Sequence, residues 1–263
     1  MNKLFDKYLK ILKLKRKDPS IEYLTELVTS HITKIPFENI SKLYYFKTKK
    51  LNKLIDFDLY LFGIDKHNFG GTCYSNNYYF NQLLNNLGFE ALLCGADMNI
   101  PDAHLISIVV LNNEQYLIDV GYGAPFFNPI PLDLKEEYRI NFGNETYLIG
   151  PKDSKGHSEL KYFIKNKYNH GYIIKPENRS ITEFEGVINE SFQKSSTFLN
   201  RITTINFSVN SSIAIRNYSM FITNNKNVKK IDLLSKNHII ENIVRNFNID
   251  YEIVKGVIAS TNF

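Results

Sequence analysis

Apolar residues near the start of the chain recur every three or four positions, the spacing that places them on one face of a helix. The first segment carries Leu4, Phe5, Tyr8, Leu9 and Leu12. The second follows Ser20, a residue typical of helix starts, and carries Ile21, Leu24, Leu27, Val28 and His31. The spacing returns after the letters GGTC with Tyr79, Phe80, Leu83, Leu84 and Leu87, and Gly88 follows as a C-terminal cap. Three helices are therefore predicted, and Cys73 opens the third.

From about Phe89 the pattern changes to short runs rich in β-branched and aromatic residues, which indicate strands. A first group reads FEALLCGA, HLISIVVL, QYLIDVGY, TYLIG, LKYFIK and GYIIK; a second reads RITTINFSV, SSIAIRN and YSMFIT, the pattern of an antiparallel meander. One amphipathic helix is predicted to close the chain, with Ile239, Ile240, Ile243, Val244 and Phe247 facing inward. Helices, then strands, then strands with a helix indicate an α+β fold rather than repeated βαβ units.

Length and composition favour one globular unit with subdomains, since 263 residues with 43% hydrophobic positions can bury a large core. Lys and Arg outnumber Asp and Glu by 32 to 27, a mild excess that suits a phosphorylated small molecule. The densest basic run, KLKRK at 13–17, precedes Asp18-Pro19 and is typical of a solvated turn. We therefore expect no nucleic-acid partner.

The two cysteines, Cys73 and Cys94, form no CxxC pair, so neither a metal site nor a disulfide framework is predicted. The N-terminal segment mixes lysines into its apolar positions, unlike a secretory signal. No apolar run approaches the roughly 20 residues that span a bilayer, so no membrane association is expected. A reducing cytoplasm with two free thiols is the expected setting.

The segment FGGTCYSNN at 69–77 indicates a reactive cysteine. A thiol in the first turn of a helix faces unpaired backbone N–H groups and the positive end of the helix dipole, which favour thiolate. Gly70 and Gly71 leave room for a substrate and leave backbone N–H groups for an oxyanion. The alternative is structural, with Cys73 a small buried apolar residue beside a tight turn.

His104 and Asp119 are candidate partners for this cysteine because they lie near one end of a predicted hairpin that turns at Asn112-Asn113. With a two- or four-residue loop the two side chains share a face; an unbulged three-residue loop would separate them. The order Cys, His, Asp is that of several thiol enzymes, in which the imidazole takes the thiol proton and the carboxylate orients the ring. Taken singly, each residue is better explained by a structural role, His104 as a strand residue and Asp119 as a turn residue.

Together these motifs resemble the arylamine N-acetyltransferase family. The family signature Arg-Gly-Gly-x-Cys-x-Glu-x-Asn is matched by Gly70, Gly71, Cys73 and Asn77. IPFENI at 35–40 is similar to the family's Pro-Phe-Glu-Asn box, His104 begins a strand as the family histidine does, and DVGYG at 119–123 is similar to the aspartate-containing glycine segment. INESFQKSSTFLNRI at 188–202 resembles the serine-rich entry to the third domain. The resemblance covers nearly the whole chain.

The resemblance implies a papain-like cysteine core in three parts. Residues 1–88 would form an N-terminal helical bundle that carries the nucleophile. Residues 89–187 would form a central β-barrel-like domain that carries His104 and Asp119. Residues 188–263 would form a C-terminal α/β lid.

The resemblance also implies acetyl transfer by a ping-pong reaction, with acetyl-CoA as co-substrate and no metal. Cys73, with His104 and Asp119, would take the acetyl group and pass it to an arylamine, arylhydroxylamine or hydrazine, as in xenobiotic metabolism. Phe37 and Tyr122 match positions that line the acceptor pocket. The family's CoA-contacting regions correspond here to Gly121, Gly123, Ser195, Ser196 and Thr197.

The sequence departs from the family signature at two positions, because Phe69 replaces the arginine and Ser75 replaces the glutamate. Neither lost group performs thiol chemistry, so a neutral packing of the same site is one expectation. The same loss also leaves Glu38 without a cation. Two alternatives therefore remain open: a catalytically silent relative that binds CoA esters or aromatic ligands, and an amide synthase of the same fold.

Overall fold

A computed structural model describes residues 2–261 and 263 and shows a mixed α and β architecture. The helices, in chain order, are α1 (Asn2–Leu12), α2 (Ile21–Lys34), α3 (Ile40–Lys49), α4 (Phe57–His67), α5 (Cys73–Asn86), α6 (Glu185–Glu190), α7 (Lys236–Phe247) and α8 (Tyr251–Ser260). Two predicted helix boundaries are confirmed. Ser20 caps the start of α2 by accepting a hydrogen bond from Tyr23 N, and Gly88, with φ +93°, follows the end of α5. None of the described helices is long and apolar enough to cross a membrane.

The strands form two antiparallel sheets. They are β1 (Phe37–Glu38), β2 (Glu90–Asp97), β3 (His104–Leu111), β4 (Glu114–Ile118), β5 (Ile130–Pro131), β6 (Tyr138–Phe142), β7 (Glu145–Ile149), β8 (Ser158–Ile164), β9 (Lys167–Ile174), β10 (Thr203–Ser208), β11 (Ser211–Arg216), β12 (Ser219–Asn224) and β13 (Asn227–Asp232). The larger, barrel-like sheet has the order β5-β4-β3-β2-β9-β8-β7-β6. The smaller sheet has the order β1-β10-β11-β12-β13, which contains the predicted meander.

The core joins helix α5, which begins at Cys73, to the larger sheet. Helix α5 packs on β2 and β3, and its buried Phe80, Leu83 and Leu84 belong to the same apolar cluster as Ile106 and Ile108 of β3. A second cluster lies between α3, α7, α8 and the smaller sheet. Because α5 is fixed along its length by this packing, the position of its first residue is fixed as well.

The prediction of a single closing helix is wrong. The chain turns at Asn248, which has φ +54°, and α8 then begins after Asp250, whose carboxylate accepts hydrogen bonds from the backbone N–H groups of Glu252 and Ile253. Helices α3, α4 and α6 and strands β1, β5, β6 and β13 are also additional to the predicted elements. Strands β6 and β13 lie at the outer edges of their sheets, and β1 and β5 are only two residues long.

Candidate active site

Cys73 is the first residue of α5 and its side chain is nearly buried. The first helical hydrogen bond runs from Asn76 N to Thr72 O at 3.1 Å, and the Thr72 side chain does not cap the helix. Within the described chain, the backbone N–H groups of Cys73, Tyr74 and Ser75 therefore have no recorded acceptor. Unpaired donors at a helix start stabilise negative charge on a sulfur or an oxygen beside them.

His104 and Asp119 are brought together by the β3–β4 hairpin. Its two-residue loop places Asn112 and Asn113 at φ +54° and +64°, the positive values of a type I′ turn. The register pairs Ser107 with Ile118, so His104 and Asp119 are diagonal on one face, as the even loop predicts. His104 Nε2 lies 2.7 Å from Asp119 Oδ2.

Three further donors hold the Asp119 carboxylate in place. The Tyr172 hydroxyl donates to Oδ2 at 2.8 Å, and Asn77 Nδ2 and Gly121 N donate to Oδ1 at 2.8 and 3.1 Å. Asn77 also accepts a hydrogen bond from Val120 N at 2.9 Å, so α5 is joined directly to the segment that carries Asp119. Four hydrogen-bond donors therefore fix the orientation of this buried carboxylate.

The electrostatics of the site favour an imidazolium at His104. Burial lowers the pKa of this ring, but the charge and hydrogen bond of Asp119 oppose burial, and the nearby Cys73 acts in the same direction as Asp119. The result raises the pKa of His104 from 6.5 to about 10. Since Nε2 is bound to Asp119, Nδ1 is the ring nitrogen left for the sulfur. The arrangement can therefore place a positively charged imidazole ring beside the sulfur of Cys73.

Glycine at position 121 allows the Asp119 segment to reach the nucleophile. A Cβ at Gly121 would lie 2.8 Å from the Cα of Cys73 and 2.7 Å from Asn77 Nδ2, both too close for any side chain. The Gly121 backbone therefore lies directly against the start of α5. Gly123, at φ +74°, lies against the Phe37 ring, where a Cβ would be 3.1 Å away.

An aromatic wall surrounds this position. Phe37 lies 5.8 Å from Phe198, and the Tyr122 ring lies 5.5 Å from the His104 ring, measured between centroids. The Tyr122 hydroxyl is 2.7 Å from His170 Nδ1. Tyr122 therefore lies beside His104, and Phe37 lies beside Gly123 and Phe198; the acceptor pocket that the resemblance implies for both stays a prediction.

The serine-rich segment enters the site region from α6. Ser196 Oγ donates to Ser191 O at 2.7 Å, while Ser195 and Thr197 are exposed. Asn39 holds the following residues by donating from Nδ2 to Phe198 O at 2.8 Å. The segment therefore leaves two hydroxyl side chains accessible and places Phe198 beside Phe37.

The two departures from the family signature are accommodated by neutral packing. Phe69 packs edge-on against Tyr45, with ring centroids 5.7 Å apart. Ser75 Oγ lies where a Cβ on Gly71 would be only 2.1 Å away. Glu38 is fully buried and accepts hydrogen bonds from Ser41 N and Gly70 N, each at 2.9 Å; burial raises the pKa of its carboxyl group.

Sequence reasoning missed Tyr172 and His170 as members of the site. Both lie on β9, which reaches the site because β2 pairs with β3 on one side and with β9 on the other. Ala96 of β2 is opposite His104 in one pair and opposite Ile174 in the other. No local spacing in the sequence reveals that adjacency.

The described residues contain no group of three or more His, Cys, Asp or Glu side chains that could hold a metal ion.

Comparison with known proteins agrees with this architecture. A family model described as N-acetyltransferase matches residues 20–256. Arylamine N-acetyltransferase 2 of Rattus norvegicus is 27% identical over 195 residues, which are 65% of this chain and 66% of the rat protein. The pineal gland isozyme NAT-3 of Gallus gallus is 32% identical over 124 residues, 44% of this chain and 41% of the relative. The chain therefore spans about two fifths of the length of the chicken protein and about two thirds of the length of the rat protein.

The fold is also that of solved structures. The structure of the Mycobacterium marinum arylamine N-acetyltransferase in complex with CoA superposes with a TM-score of 0.80 at 18% identity, covering 98% of this chain and all of that one. The family model extends over most of the sequence and the similarity in fold over nearly all of it. The chain belongs to the arylamine N-acetyltransferase family.

Proposed function

We propose that this protein transfers an acetyl group from acetyl-CoA, through a thioester on Cys73, to arylamine, arylhydroxylamine or hydrazine acceptors. The observation that carries the proposal is the buried His104–Asp119 pair, with Nε2 and Oδ2 2.7 Å apart, next to a cysteine at the start of a helix. His104 would be the base and Asp119 the residue that orients it. Family membership supports the acyltransferase class, and the acceptor classes follow from the resemblance.

In the first half-reaction the Cys73 sulfur attacks the thioester carbonyl carbon of acetyl-CoA. The new bond joins Sγ to that carbon, and the bond from the carbon to the CoA sulfur breaks. The CoA thiolate leaves with the proton from His104 Nδ1. The free N–H groups at the start of α5 are suitably placed donors for the transient oxyanion.

In the second half-reaction the acceptor amine attacks the acetyl carbonyl carbon of the thioester. His104, neutral after the first step, takes the proton that the amine nitrogen releases. The carbon–sulfur bond then breaks, which restores the Cys73 thiolate beside an imidazolium. An arylamine suits this step because it is neutral near pH 7 and does not need to lose a proton before it attacks.

The aromatic wall of Phe37, Phe198 and Tyr122 is the acceptor pocket in this proposal, since aromatic rings stack well on such surfaces. The CoA chain would contact Gly121, Gly123 and the segment Ser195, Ser196 and Thr197.

With the chain divided into 1–88, 89–187 and 188–263, the reaction would take place between the first two parts. Cys73 and Cys94 are both free thiols, which is the state that a reducing cytoplasm maintains. Acetylation of xenobiotic amines would be one use of this activity.

The test compares the two cysteines of one folded protein. Acetyl-CoA without acceptor should add one acetyl group to the peptide that contains Cys73, and added arylamine should remove it. Cys94 is the internal control, because it is fully buried and burial raises its pKa to about 12. Cys73→Ala should abolish the adduct and Cys94→Ala should retain it. An intact, folded protein that forms no adduct, or forms it on Cys94, overturns the proposal.

A further inference from the structure

A cavity lies beside the glycine turn that precedes α5. It is lined by α3, the segment 51–55, α4, the turn 69–72, the first turn of α5 and the end of α6, and its walls are mostly apolar. The centre of a water-sized sphere can occupy about 50 Å³ of it, several times the roughly 10–15 Å³ that one water needs. The space therefore suits a ligand of a few non-hydrogen atoms.

This cavity is separate from the candidate active site. Cys73, His104 and Asp119 are not among the described residues that line it. Phe69 and Ser75 do line it, and these are the two positions at which the family signature has arginine and glutamate. Two neutral side chains therefore stand where the signature has one charge of each sign, so the cavity is a feature of this chain.

Lys42 is the one charged side chain among the described residues that line the cavity. It is only 9% exposed, and its Nζ donates to Ser191 Oγ at 2.7 Å and lies 4.0 Å from the Phe192 ring centroid. No carboxylate of the described residues forms an ion pair with it. Burial lowers the pKa of this lysine to about 8, although the nearby Cys73 opposes that effect. A buried ammonium group without an anion is energetically unfavourable, so Lys42 has capacity for a negatively charged partner.

The Tyr45 hydroxyl is a second unsatisfied polar group of the same cavity. Tyr45 is 3% exposed, lines the cavity, and has no hydrogen-bond partner for its hydroxyl among the described residues. The hydroxyl lies at the wall, because a Cβ added to Gly63, another lining residue, would be 2.9 Å from it. Buried hydroxyl groups are nearly always hydrogen-bonded, so this one also calls for a partner in the cavity.

The two groups belong to one face of one helix. Lys42 and Tyr45 are three residues apart on α3, which places their Cβ atoms about 5–6 Å from each other. Two donors at that spacing can reach the two oxygens of a single carboxylate. Glu38 does not supply this carboxylate, since it does not line the cavity and already accepts hydrogen bonds from Ser41 N and Gly70 N. The acceptor that both donors require therefore has to come from a ligand.

We propose that this cavity binds a short-chain carboxylate such as butyrate, with the carboxylate on Lys42 and Tyr45 and the hydrocarbon chain against the apolar walls. The proposal goes beyond the acyl transfer proposed above and does not depend on it, because the ligand binds without reacting. The apolar walls favour a carboxylate with a hydrocarbon chain over an inorganic anion, which would leave them uncovered. A neutral ligand of the same shape would leave the ammonium group unpaired.

The first experiment measures binding of [1-¹³C]butyrate to the unmutated protein by NMR titration. Butyramide, which has the same shape and no charge, is the matched control ligand. Butyrate should bind saturably, and butyramide should bind at least about tenfold more weakly, because it forms no pair with a buried charge. The absence of saturable butyrate binding, or equal binding of the two ligands, overturns the inference. Neither result affects the proposed function, since the measurement involves no acyl transfer.

Tyr45→Phe then locates the ligand with little disturbance of the fold. It removes a hydroxyl that has no partner in the described structure, so without butyrate its urea unfolding midpoint should equal or exceed that of the unmutated protein. Its affinity for butyrate should fall at least about tenfold, the usual effect of losing a hydrogen bond to a charged group. Tyr168→Phe is the matched control, because Tyr168 is 61% exposed and does not line the cavity.

Lys42→Met tests the charge. It keeps much of the side-chain length, and it should remove the preference for butyrate over butyramide. Butyrate binding that persists unchanged in Tyr45→Phe and in Lys42→Met would lie elsewhere on the protein and would overturn the inference. If Lys42→Met fails to fold, the comparison of Tyr45→Phe with Tyr168→Phe decides: the inference requires weaker butyrate binding in the first variant and unchanged binding in the second.

Discussion

Asp119 receives hydrogen bonds from α5, from its own segment and from β9, so three parts of the chain fix one carboxylate. The bond from Tyr172 joins residues 53 positions apart and is fully buried. Such long-range bonds to a charged acceptor stabilise the fold as well as the site, because an oxygen left without its donor in the interior is costly. The site of this protein is therefore also a structural junction.

Tyr172→Phe tests that junction. Removing the hydroxyl should lower the free energy of unfolding by about 1.5–3 kcal/mol, the usual contribution of a hydrogen bond to a charged group. Urea denaturation measures the change. Tyr168→Phe is the control on the same strand, because Tyr168 is 61% exposed and its loss of a hydroxyl should change stability little. Equal losses in the two variants would contradict a special role for Tyr172.

The buried histidines His31 and His104 should hold opposite charge states at the same pH. Asp119 raises the pKa of His104 to about 10 against the effect of burial, whereas burial alone lowers the pKa of His31 to about 3. A ¹⁵N titration of labelled histidines should therefore find His104 protonated and His31 neutral at about pH 8. Asp119→Asn should lower the pKa of His104, since burial would then be opposed by Cys73 alone. A His104 signal that titrates near 6.5 in the unmutated protein would contradict this assignment.

At the scale of elements, the turn at Asn112-Asn113 sets the register that makes His104 and Asp119 neighbours. Both residues have positive φ, which asparagine tolerates and most side chains do not. A change of register by one residue would move Asp119 to the opposite face of β4. The chemistry of the site thus depends on two exposed residues that never contact it.

Asn113→Ala and Asn113→Gly form a matched pair at this turn. At φ +64° alanine is strained, so Asn113→Ala should lower the free energy of unfolding by about 1 kcal/mol. Asn113→Gly should keep or slightly raise it, because glycine adopts positive φ without strain. Urea unfolding of both variants measures the difference. The prediction fails if alanine is tolerated as well as glycine.

The elements that the sequence predicts are those with a continuous apolar pattern. Helix α2, helix α5 and the β3–β4 hairpin follow from periodicity and turn residues alone. Helix α3 does not, because its buried face includes Ser41 and Lys42 and so lacks a continuous apolar stripe. Strand β13 is not predicted because only Val228 and Ile231 among its residues are apolar, whereas β6 alternates apolar and polar residues and its omission has no such explanation. Tyr172 could not be predicted, since its contact with Asp119 arises from strand order rather than from local spacing.

At the scale of the whole molecule, the short box at 36–39 joins the helical part to the smaller sheet. Phe37 and Glu38 form β1, which pairs with β10. Asn39 accepts a hydrogen bond from Thr203 N at 2.8 Å and donates to Phe198 O. Gly70 N in turn donates to Glu38, so the same box also supports the turn before Cys73. One tetrapeptide therefore connects the turn before Cys73 to the C-terminal part of the chain.

The stability of this assembly should fall in acid because of His31. The ring is fully buried between Tyr8 of α1 and Phe80 of α5, with Nδ1 2.9 Å from the Tyr8 hydroxyl and with Nε2 lacking a partner in the described structure. Its pKa is lowered to about 3 in the folded chain and returns to 6.5 on unfolding. Between these values only the unfolded chain binds the proton. Stability is therefore fully present above 6.5 and is lost as the pH falls towards 3.

His31→Gln measures this contribution, because glutamine keeps a polar group for Tyr8 and does not titrate. The variant will lose some stability at neutral pH, but the slope of stability against pH is the relevant quantity. Urea unfolding at intervals between about pH 6 and pH 4 should give a slope roughly 1.4 kcal/mol per pH unit shallower than that of the unmutated protein. Identical slopes would mean that protonated His31 is tolerated in the helical core, which contradicts its burial between two aromatic rings.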